Sequence, residues 1–98
     1  MDADSFKHSL SAAEPPADLG MAVQALWWDG KGDWQKAHEC AQAQDDDAIG
    51  AWVHAYLHRK EGDLGNAGGW YRRAGKPVAS GPLAAEWETI ANALLTDG

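Results

Sequence analysis

The sequence predicts an all-α protein built as two tandem antiparallel helix hairpins followed by a C-terminal capping helix. Three observations predict it. Apolar residues recur at three- and four-residue spacing from residue 18 onward. Glycine, Gly-Asp and proline signals cut that pattern into segments of helix length. The chain also matches itself at an offset of 30 residues.

Residues 1–17 read as a flexible N-terminal tail, because Ser, Ala, Asp and the Pro15-Pro16 pair sustain no period; Phe6 and Leu10 are apolar residues it could pack through, but nothing in the pattern requires it. A single helical-repeat domain is expected over 18–98. Its first hairpin, 18–45, opens at Asp18, placed to cap a helix that carries Leu19, Ala22, Val23, Leu26 and Trp27 on one side. Gly30-Lys31-Gly32 breaks that helix. Asp33 caps the next, whose apolar side is Trp34, Ala37, Cys40 and Ala41. The run Asp45-Asp46-Asp47 ends it and brings negative charge to the start of the following helix, where the dipole is positive. The second hairpin, 47–76, has the stripe Ile49, Trp52, Val53, Tyr56 and Leu57, a stop at Glu61-Gly62, and an Asp63 cap. Its closing helix runs through Leu64, Ala67, Trp70, Tyr71 and Ala74 to Gly75, with Pro77 beyond. Gly68-Gly69 inside that helix costs about 1 kcal/mol per Gly relative to Ala, which predicts close helix contact there. The capping helix is expected over 82–96, opening at Pro82 and presenting Leu83, Trp87, Ile90, Ala91 and Leu94.

The internal match is specific. Between 19–37 and 49–67 there are six identities: Gly20/Gly50, Val23/Val53, Ala25/Ala55, Gly32/Gly62, Asp33/Asp63 and Ala37/Ala67. Unrelated helical segments of this composition would share about one or two. The matched residues are a turn glycine, a cap aspartate, and small residues of the kind closely packed helices need.

A unit of helix, Gly-Asp turn and a second helix with Ala four residues after the Asp resembles the tetratricopeptide repeat. The corresponding places are Ala25, Gly32-Asp33 and Ala37 in one unit, then Ala55, Gly62-Asp63 and Ala67 in the other, where Tyr71, Ala74 and Pro77 also match. The period of 30 is shorter than that family's roughly 34. Gln24 and Trp28, or His54 and His58, stand where its bulky first-helix residues would be. The resemblance implies a short α-solenoid with a terminal cap and a peptide-binding groove. By the resemblance, Trp52, Tyr56, Arg59 and Lys60 line the groove in the second unit, and Ala22, Leu26 and Asp29 in the first. The runs 52–63 and 70–75 also resemble small microbial proteins, a likeness that implies no activity.

Charge and composition narrow the function. The formal net charge of −7 argues against nucleic-acid binding, since a phosphate backbone rewards positive surfaces. The charge is uneven, however. Residues 54–76 hold five basic and two acidic groups, whereas the remainder hold three basic and thirteen acidic. Six Trp stand against one Phe and two Tyr, bulk suited to filling a core that Ala and Gly leave thin. The single cysteine, Cys40, excludes an intrachain disulfide and a paired-cysteine motif, and reads as a small apolar filler. No leader pattern opens the sequence and no stretch has the apolar length of a membrane span, so the expected location is the cytoplasm without membrane contact.

Two residue sets carry chemistry. Arg59, Lys60, Arg72, Arg73 and Lys76 sit where helices end, offsetting the dipoles. Alternatively, Arg59, Lys60, Arg72 and Arg73 form with Trp52 and Tyr56 a binding patch for a carboxylate-bearing peptide. The second set is His54, His58 and Glu61, spaced to share one helix face and of the type that holds zinc or another divalent ion, with His38 or Cys40 of the preceding helix as a further donor. Against the metal stands packing of the same histidines between helices. The His-Ala-Tyr-Leu-His spacing lacks the glutamate of zinc peptidases, and neither a nucleophile-base pair nor a nucleotide fingerprint occurs. No cofactor is implied. The sequence thus points to a binding module rather than an enzyme, with a protein, a peptide or a second copy of the chain as partner, and metal or ligand binding as the alternative.

Overall fold

The computed structural model describes residues 1–44 and 46–95; Asp45 of the acidic run and the expected helix end at 96 lie outside them. The regular structure of the described residues is helical throughout: α1 (Ala3–Ser9), α2 (Met21–Gly30), α3 (Trp34–Gln42), α4 (Ala48–Lys60), α5 (Leu64–Ala74) and α6 (Leu83–Leu95). Helix α2 packs on α3, α3 on α4, and α4 on α5, while α6 turns back across α4 and α2 to reach α1.

The two Gly-Asp turns are near-copies of one another. Gly32 and Gly62 have φ of 88° and 90°, a left-handed conformation that only glycine adopts without strain. Each turn closes with the same pair of bonds. The amides of Gly32 and Asp33 donate to the carbonyls of Asp29 and Trp28, and those of Gly62 and Asp63 to Arg59 and His58. Asp33 and Asp63 then accept from the amides of Lys36 and Asn66 to start α3 and α5. Asp47 caps α4 in the same way, and bonds from the Gly50 amide and Gln44 hold its carboxyl below the usual range.

Three local expectations give way to other arrangements. Residues 1–17 do not run as an irregular tail throughout. Asp2 caps α1, Phe6 is fully buried, and its ring stacks on Trp87 of α6 at 5.6 Å. Asp18 does not cap α2; the cap position is Gly20, and the side-chain oxygen of Gln44 accepts from the Ala22 amide instead. Gly68-Gly69 makes no close helix contact, because a Cβ built on Gly65, Gly68 or Gly69 meets nothing within 4 Å. A tightly packed glycine is Gly30, where a Cβ would lie 3.0 Å from Leu10 and 3.3 Å from Trp87.

The main core joins Phe6, Leu26, Trp27, Val53, Leu57, Trp87 and Ile90 across α1, α2, α4 and α6. Its indoles also satisfy their N–H groups: Trp27 donates to Ser9, Trp34 to the Leu57 carbonyl and Trp87 to the Leu26 carbonyl. Cys40 is half-buried against this core, and burial pushes its thiol up.

Candidate metal centre

Helical spacing sets His54 and His58 one turn apart on α4, with their rings stacked at 4.8 Å. The third member comes from α3. His38 brings its Nε2 to 3.0 Å from the Nε2 of His54, and its ring lies 5.3 Å from that of His58. One donor nitrogen from each of the three lies within 4.8 Å of the others. Two indoles wall the cluster. Trp34 stacks on His38 at 4.9 Å, and Trp70 of α5 stacks on His54 at 4.0 Å. His54 and His58 are buried, and His38 is the half-buried member through which the cluster meets solvent.

Glu61 does not join the trio as an expected third donor. It accepts from Nδ1 of His58 at 2.6 Å, in the turn that ends α4. That bond fixes the His58 ring and leaves Nε2 as the nitrogen with a lone pair to offer, an arrangement like the carboxylate–imidazole support common behind metal ligands. Burial, then the neighbouring His58, push His38 below the ordinary imidazole value, against a weaker pull from Glu61 and Glu39. A neutral imidazole is the form that donates a lone pair to a metal. His58, Glu61 and Asp63 form a second, more exposed grouping at the mouth of the same turn. Two of its members are already used, Glu61 by His58 and Asp63 as the cap of α5.

The six residues expected to form a peptide-binding patch are dispersed. Tyr56 is buried and donates to Asp29 at 2.7 Å, and Lys60 donates to the other oxygen of the same carboxylate. Arg59 is spent on Glu86, at 2.7 Å, and on the Gly81 carbonyl, while Glu86 also accepts from Tyr71. Burial, then these carboxylate partners, push both tyrosines far above their usual value. Trp52 lies apart, under Lys76. Arg73 covers the Trp70 ring, and Arg72 is exposed. The physical reason is that α4 is enclosed by α2, α3, α5 and α6, so cations on it find internal carboxylates before any ligand. Tyr56 and Lys60 do border a groove of about 630 Å³, which Leu10, Leu83 and Trp87 line between α1 and α6.

No family model, no curated protein and no solved structure matches this chain. No helix among the described residues is long and apolar enough to cross a membrane.

Proposed function

We propose that this chain is a two-unit helical-repeat protein that binds a divalent transition-metal ion where its units meet, through His38, His54 and His58. The observation that carries the reading is the 3.0 Å separation of the His38 and His54 Nε2 atoms, with His58 alongside. Two imidazoles bound to one tetrahedral zinc stand about 3.3 Å apart, from zinc–nitrogen bonds of about 2.0–2.1 Å. Ion entry replaces the one N–H···N hydrogen bond with a coordination bond from each of the three rings, the Nε2 proton of the donor ring leaving that atom for its own Nδ1 by exchange with water. An all-imidazole donor set favours zinc, copper, nickel or cobalt over the oxygen-seeking magnesium and calcium. Glu61 is the supporting carboxylate rather than a ligand.

The test is titration of tag-free protein with Co²⁺ and Zn²⁺, followed by visible absorption and calorimetry. One ion per chain is expected, with binding weakened at least tenfold by His38→Gln and by His58→Gln. Cys40→Ser and His8→Gln should leave it unchanged. Tryptophan emission should fall on Cu²⁺ or Ni²⁺ addition, because Trp34 and Trp70 lie against the rings that bind. Absence of stoichiometric metal, or binding indifferent to His38→Gln, would sink the reading.

A further inference from the structure

The repeat offset makes a statement about a surface that the metal reading leaves untouched. Within the chain, Trp34 and His38 of α3 face α4: Trp34 donates to the Leu57 carbonyl and His38 meets His54. Adding 30 residues to Trp34 and His38 gives Leu64 and Gly68 of α5. Adding 30 to Gln24 and Trp28 of α2 gives His54 and His58 of α4. Helix α5 therefore holds the place of α3 and α2 that of α4, and among the described residues no helix pair follows α5 or precedes α2 in this register. Exposure agrees with this register. Leu64 is 67% exposed, and no neighbour lies where Cβ atoms on Gly65, Gly68 and Gly69 would project. On α2, Gln24 and Trp28 are half-exposed.

From this register, which rests on the two-unit reading, we propose that the α5 face of one chain receives the α2 face of a second copy, head to tail. Size favours this occupant. Trp28 is a half-exposed ring with Lys36 over one face, and Gly68 is a bare helix surface, so the ring of one copy has open space to enter on the α5 face of the next. Because the two faces differ, the contact is heterologous and leaves one of each free for further copies.

Sedimentation velocity over a wide concentration range reads the outcome. Wild-type protein should show growing, concentration-dependent species. Gly68→Gln fills the acceptor face where no neighbour in the chain stands, so it should abolish association while raising the monomer's melting temperature. Trp28→Gln should abolish it from the other side. An equimolar mixture of the two variants should form a one-to-one complex and nothing larger, since each retains the face the other has lost. A strict monomer, association that survives Gly68→Gln, or a mixture that stays monomeric would each overturn the proposal. Chelator should leave association intact; dissociation by chelator would place the contact at the histidines and refute this one. Failure here leaves the metal titrations standing, and failure of those leaves this test unaffected.

Discussion

Arg59 separates two accounts of the cations on α4. As a ligand-facing group it would be dispensable to the fold. As found, its side chain is 13% exposed and pairs at 2.7 Å with the Glu86 carboxylate, which is 6% exposed. Arg59→Met keeps most of the aliphatic stem and removes the charge. It leaves Glu86 buried with only the Tyr71 hydroxyl, and it takes a donor from the Gly81 carbonyl. Removing one partner of a buried pair costs about 3–5 kcal/mol, because the remaining charge is desolvated and uncompensated. A domain of this length has roughly 5–15 kcal/mol in total. The loss is therefore a large share of the stability and lowers the melting temperature by on the order of 15–25 °C. Thermal unfolding by circular dichroism reads it directly. Adding Glu86→Gln to Arg59→Met removes the stranded charge while keeping an acceptor for Tyr71, so the double variant should recover at least half of the loss. A shift of only a few degrees for Arg59→Met would refute the argument, since roughly 0–1 kcal/mol is what an exposed ion pair contributes. Equal instability of the single and double variants would show that charge is not the cause.

Two further outcomes follow from the geometry. Ala for Gly should have opposite signs at two helical sites: Gly65→Ala, with open space around it, gains about 0.5–1 kcal/mol, whereas Gly30→Ala forces Leu10 and Trp87 apart and loses about 1–3 kcal/mol. Urea denaturation measures both, and a stabilised Gly30→Ala would mean that α1 is not seated on α2 as described. Both tyrosines are held above the ordinary value of 10, so the folded chain keeps its phenolic protons while the unfolded chain loses them. Stability from these groups is fully present below about pH 10 and is lost as pH rises beyond it. Absorbance in the tyrosinate band should show neither tyrosine ionised near pH 10 in folded protein and both titrating there in denaturant; a folded-state midpoint at 10 would contradict the burial of Tyr56 and Tyr71.

What the sequence made legible is what short-range chemistry controls. Asp33, Asp47 and Asp63 cap the helices the pattern assigned them, because a cap needs only its own side chain and the amide three residues on. Gly32 and Gly62 turn identically because the left-handed residue decides the turn. Asp18 failed by the same logic: a distant Gln44 takes the Ala22 amide, and nothing near Asp18 announces that. Nothing in the pattern required Phe6 to pack, but a helix of seven residues forms there, with Trp87 of the last helix giving its ring somewhere to stack.

The histidines show the same division more sharply. Spacing alone paired His54 with His58 and added Glu61 as a donor, and the order of the helices offered His38 or Cys40 as a further one; in the structure Glu61 bonds to Nδ1 of His58, and His38 comes across from α3. A second signal lay in the repeat. Positions identical at the offset of 30 are the glycines, aspartates and small residues that hold each unit's frame. Among the positions that differ, four pairs lie at the histidine cluster or at the places equivalent to it: Gln24 and His54, Trp28 and His58, Trp34 and Leu64, His38 and Gly68; others, such as Leu26 and Tyr56 or Trp27 and Leu57, differ inside the core. A frame that must close the same turn twice constrains its residues twice, whereas a face meets a different neighbour in each unit and is free to diverge. Trp34 and His38 find α4, and among the described residues Leu64 and Gly68 at the equivalent places find no further helix. Among the described residues, the histidines therefore gather where α3 meets α4, between the two segments related by the offset of 30, and the counterparts of those places on α5 and α2 are exposed or half-exposed.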